Sequence, residues 1–279
     1  MSEVMIRFKK TYTSINKIND KLSINFSDIC KDDTYKANAF IDENGEESDY
    51  MYISPYFASK GDDDKLHSSN ESTPYESDLD LIRTKLNEGY NALSYDKYMY
   101  LYTLLLLITK SYDVNNTIGT GTSVNKNGLL NEKGMFYGST DGNLGNKVFG
   151  IENLWSDKWT ILEGVLQKNN DLYKLVNGDY SNTDLYEKVN TENINFNKGY
   201  ISKLTGNTDY LLPSESLGSS STYTTAYNGL NENTNGNTNI LVGGSNNNIS
   251  NIFNIKSENR SGCTRITFNK AKEVKLWVK

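Results

Sequence analysis

The chain has 279 residues, long enough for one large domain or two modest ones with a proper core. Its 29 Lys and Arg against 35 Asp and Glu give a net charge of -6, and no basic cluster is longer than Lys9-Lys10, which argues against nucleic acid as a partner. Its longest apolar run, Tyr98 to Ile108, would cross about half of a bilayer's hydrocarbon core, so it reads as a buried helix and no membrane insertion is expected.

Residues 1–45 carry two alternating stretches, Ile6-Arg7-Phe8 and Leu22-Ser23-Ile24-Asn25-Phe26, that suit short strands. Ile15 and Ile18, three apart, fit a helical turn between them. This arm is either the strand-bearing start of the domain or a segment that attaches to a larger assembly, with residues 46–279 as the main domain. Its opening, Met1 to Arg7, lacks the apolar stretch of a secretion signal. Tyr50 to Ser59 reads as a strand, in which Pro55 suits an edge position or a bulge. The Gly61-Asp62-Asp63-Asp64-Lys65 loop reads as solvated, because three adjacent aspartates lack the alternating oxygen spacing of a calcium loop.

Ser77 opens a helix as its N-cap, with Asp78 and Asp80 in the first turn, Leu79, Ile82 and Leu86 on one face, and Gly89 closing it. A second helix starts at Ser94, runs through Tyr98, Leu101, Leu104, Leu105 and Ile108, and ends near Tyr112. It is apolar nearly all round, so it should be buried. Two helices before a strand-rich remainder give an α+β fold class.

Gly134 to Gly145 is rich in turn residues, with Asp141-Gly142 as its sharpest hairpin signal. The sequence implies no cofactor and leaves open whether Asp141 and Asn143 hold a structural calcium. The segment from Lys147 to Glu163 brings Val148, Ile151, Leu154, Trp155 and Trp159 into a dozen residues, more apolar area than water tolerates. Glu152 and Asn153 sit inside this run and need partners. An extended segment that crosses a core, with both residues tying down backbone amides of neighbouring loops, meets these demands. Trp159 to Leu166 and Asp171 to Leu175 read as strands either side of a polar turn, and residues 177–209 as short hairpins and surface loops. Ile240 to Ser245 is a strand ending in the paired glycines Gly243 and Gly244.

Chemistry-bearing residues are few. His67 is the single histidine, in a polar loop, and Cys30 and Cys263 are far apart. One His and two distant Cys assemble no transition-metal site, and no Gly-x-Ser-x-Gly elbow is present, so no enzymatic activity is expected. Both cysteines read as small buried or half-buried thiols, and one bridge between them stays open. Ser214 to Asn251 is dominated by Ser, Thr, Tyr, Asn and Gly, the palette of antibody paratopes. There Tyr223, Tyr227, Asn228, Asn246, Asn247 and Asn248 are the candidate ligand-binding residues, tyrosines stacking and asparagine amides bonding around them.

Phe149-Gly150-Ile151-Glu152-Asn153-Leu154-Trp155 followed by Trp159 resembles a motif of the formylglycine-generating-enzyme-like branch of the C-type lectin fold, and its phage tail-fibre and receptor-binding proteins in particular. Further similarities follow in the same order: Tyr50 to Ser59, Ile118-Gly119-Thr120-Gly121-Thr122, Ser219 to Tyr223, Val242-Gly243-Gly244-Ser245, and Gly262 to Arg265. Ser156-Asp157 and Thr160 depart from that pattern, which usually has Gly-Asn and Glu there. The resemblance implies a C-type lectin-like α+β fold, with two N-terminal helices packed on short, irregular antiparallel sheets. Its core would include Phe149, Glu152, Asn153, Trp155, Trp159, Gly243, Gly244 and Arg265. The paired cysteines or histidine triad of the family's enzymes have no counterpart here. The implied role is a non-enzymatic virion surface protein, in a tail or head fibre or appendage, assembled in the host cytoplasm with other virion proteins as a homo-oligomer. It would bind a host surface glycan or protein through its C-terminal loops. The alternative is a purely architectural virion component with no ligand.

Overall fold

Thr, Tyr, Val and Ile favour pleated backbone, and strands carry most of the architecture. The computed structural model describes residues 3–19, 21–42, 44–111, 113–139, 145–176, 178–191, 194–217, 219, 226–227, 229–230, 234–244 and 251–269. The chain opens with β1 (Ile6–Lys9), β2 (Tyr12–Ile18), β3 (Lys21–Ser27), β4 (Tyr50–Ile53), β5 (Ser59–Lys60) and β6 (Leu66–His67). The helices α1 (Leu79–Lys85), α2 (Tyr95–Thr109) and α3 (Val114–Thr117) follow. Next come β7 (Tyr137–Gly138), β8 (Asn146–Val148), β9 (Ile151–Glu152), β10 (Thr160–Asn169), β11 (Asp171–Leu175) and β12 (Tyr186–Lys188). The last are β13 (Gly199–Asn207), β14 (Tyr210–Ser216), β15 (Ala226–Tyr227), β16 (Thr234–Val242), β17 (Ile255–Ser257) and β18 (Thr267–Phe268).

This overturns the expected α+β, C-type lectin-like class. Strand accounts for 38% and helix for 14%, and the helices follow six strands instead of opening the domain. The sheets are small and separate, and α1 is only seven residues long. Helical periodicity is written locally and stands out in a sequence. Strands of two to four residues carry almost no periodic signal, so their combined weight escapes the eye.

The largest sheet runs β12-β11-β10-β16-β17, all neighbours antiparallel. β10 lies at its centre, and its first eight residues are buried on both faces, as an apolar central strand requires. α2 packs against it. Ser94 caps α2 by accepting from the Lys97 amide at 3.4 Å, and Lys110 ends it in the left-handed region. The helix is buried through Leu105, but Leu107 and Ile108 face out. A second sheet, β1-β4-β18, joins the two ends of the described chain: Ile53 lies opposite both Ile6 and Thr267.

Several local expectations change. Ile15 and Ile18 lie in β2, which pairs with β3 as a hairpin, not in a helical turn. β4 is the central strand of its sheet and stops before Pro55, so the proline marks no edge. Asp78, not Ser77, caps α1, its carboxylate accepting from Leu81 at 2.8 Å. Gly89 sits in a later turn, with α1 already ended at Lys85. The organising segment is no extended crossing: Phe149 and Gly150, both at positive φ, turn β8 back on β9. β13 pairs with β14 as a hairpin that runs on to Ser216, longer than the short hairpins expected of residues 177–209. Among the described residues no helix is long and apolar enough to cross a membrane.

Candidate binding cleft

A polar frame runs through the interior behind β8 and β9. Glu152 is buried and accepts from the Gly128 and Leu130 amides at 2.9 and 3.0 Å, holding the 128–130 turn. Burial raises its pKa, against the pull of those amides and of Lys147 and Arg265. Arg265 is fully buried and donates to the carbonyls of Pro55, Glu152 and Asn153 at 3.0, 2.5 and 3.0 Å, its guanidinium 4.3 Å from the Phe57 ring centroid. Burial lowers its pKa to about 9, so it stays charged at neutral pH. Asn153 has a positive φ, and its amide donates to Asn146. Trp155 is buried and donates to the Gly119 carbonyl at 3.1 Å. Phe149 packs edge-on between Phe8 and Phe136. Gly244 lies against the Trp159 ring, and Gly243, at positive φ, receives the Ser156 amide on its carbonyl.

Of the candidate ligand-binding residues, Tyr223, Asn228, Asn246, Asn247 and Asn248 lie outside the described residues, as do Asp141 and Asn143. Tyr227 is described in its backbone alone, which pairs with Gly199. Cys30 is exposed, where a buried or half-buried thiol was expected. Cys263 is buried, its pKa pushed up to about 12 by that burial, and both are free thiols. His67 is no loop residue: it lies in β6, largely buried between two carboxylates.

Among the described residues, a site with room for a ligand lies elsewhere. A cleft of about 450 Å³ opens between the free ends of β11 and β12, the N-terminus of α2, the 36–42 segment and the β13–β14 turn. That volume falls in the usual range of ligand pockets. Its walls are set by ion pairs. Lys174 in β11 meets Asp96 in the first turn of α2 at 2.6 Å and reaches the Asp209 carbonyl at 3.4 Å. Lys36 meets the Asp209 carboxylate at 3.2 Å, where the Asn38 amide also donates at 3.2 Å. Burial pushes the Asp209 pKa up, but Lys174, Lys36 and Asn38 together bring it below the ordinary value. Tyr180 adds half-buried aromatic surface, and Gly164 leaves the space in which its ring lies; Tyr95 is buried behind the wall, its ring centroid 5.8 Å from the Lys174 ammonium. Asn190, Asn207, Glu187 and Lys188 form an exposed rim.

None of these residues was singled out from the sequence. One signal was present: Lys174 shares a face of β11 with buried Leu172, and a charge on a buried face needs a dedicated partner. That partner, Asp96, is 78 positions away. No family model matches the chain, and no curated protein matches it.

Proposed function

We propose that the protein is a non-enzymatic virion surface protein that binds a host surface glycan, and that the cleft holds it. The cleft carries this reading. Its walls present ammonium, carboxylate and amide groups side by side in positions fixed by mutual pairing, with the half-buried Tyr180 ring for a sugar face. A hydroxyl group donates and accepts, so it can bond both members of such a pair without breaking it. Pre-set partners also lower the ordering cost of binding. The virion setting, with assembly into a homo-oligomer beside other virion proteins, rests on the sequence resemblance alone.

The test is saturable binding of the full chain to host cells. Replacing Lys36 and Asn190, both exposed at the cleft, by alanine should weaken it at least about tenfold. Binding kept in that variant but lost on Tyr223→Ala with Tyr227→Ala would move the ligand to the C-terminal loops. No binding to any host surface, with firm retention in purified particles, would leave the architectural role.

A further inference from the structure

We infer that the cleft takes uncharged, hydroxyl-rich saccharides and turns away acidic ones, an inference that rests on the glycan-binding reading above. The lining holds three ammonium groups, Lys36, Lys174 and Lys188, against four carboxylates, Asp42, Asp96, Glu187 and Asp209. Every one of those ammonium groups is already committed. Lys36 is held by Asp209 at 3.2 Å, Lys174 by Asp96 at 2.6 Å, and Lys188 by Asp171 at 2.7 Å. Asp42 accepts the amides of Asn44 and Glu46, and among the described residues neither it nor Glu187 faces a lysine at ion-pair distance.

A uronate, sialate or phosphate entering the cleft would therefore meet ammonium groups whose charge an aspartate already offsets, and would lie beside Asp42 or Glu187, whose repulsion opposes binding. An apolar ligand would strip water from the ion pairs and return nothing to them. Neutral sugars escape both penalties, because their hydroxyls bridge an ammonium and its carboxylate together.

The experiment is an array of bacterial surface glycans in matched pairs, neutral chains beside their uronate-bearing or phosphate-bearing counterparts, probed with the full protein at low salt. Wild type should bind neutral members and discriminate against each acidic partner by at least about tenfold. Glu187→Gln, an exposed change that leaves every ion pair of the cleft in place, should narrow the gap about fivefold at low salt. Tighter binding of the acidic partners by wild type would overturn the inference and leave the glycan reading standing. Binding of neither kind would remove both.

Discussion

A single methyl group separates Gly244 from alanine, and the interior has no place for it. A Cβ there would lie 2.4 Å from the Trp159 ring and 2.7 Å from the Trp159 Cα. The second contact is backbone, so no side-chain rotation relieves it. Gly244→Ala should cost about 1–3 kcal/mol, the usual penalty of overpacking, read as a lower urea midpoint at unchanged slope. A variant as stable as wild type would mean that β16 and the Trp159 segment do not meet this way. Arg265 shows the same scale from its polar side: its value lies in the three carbonyls it serves. Arg265→Met fills most of the volume but leaves those acceptors bare, and about 3 kcal/mol or more should be lost in the same measurement.

At the scale of elements, the β5–β6 hairpin holds the start of the chain through one imidazole. His67 Nδ1 faces Glu3 at 2.8 Å and Nε2 faces Asp63 at 2.9 Å, while Ser68 donates to Glu3 and to the Val4 carbonyl. Gly61 leaves space for the ring, whose Cδ2 would lie 2.7 Å from a Cβ there. Two carboxylates facing both nitrogens require both to carry protons. Burial lowers the imidazole pKa, but Asp63 and Glu3 together raise it above 6.5. A raised folded value means that the contribution to stability is complete below pH 6.5 and is lost as pH climbs through the folded pKa. Thermal stability should therefore fall across that window, amide exchange at Val4 and Met5 should quicken, and His67→Gln should abolish both dependences. A wild-type profile parallel to that of the glutamine variant would rule the clamp out.

For the whole molecule, the decisive feature is that the first 45 residues are woven into the body. β1 lines one side of β4 and β18 the other, the β2–β3 hairpin packs on β13, and Phe40 is fully buried. A chain begun at residue 46 would bare Met51 and Ile53 and should not fold cooperatively, as circular dichroism and gel filtration would report. A monomeric, cooperatively melting fragment would make the arm separable. What the sequence determined by itself is local: the Ser94 cap, the apolar register of α2, the alternation in β1 and β3, and the burial that two indoles and three aliphatics demand between Val148 and Trp159. Each depends on neighbours within a turn or two, where periodicity and side-chain area speak directly. Tertiary structure alone decided that sheet outweighs helix, that β4 is central, that His67 lies between acids, and that Lys36, Asp96, Lys174 and Asp209 wall one cleft. Those outcomes join residues from distant stretches of chain, and a one-dimensional pattern holds no record of which strand a strand will meet.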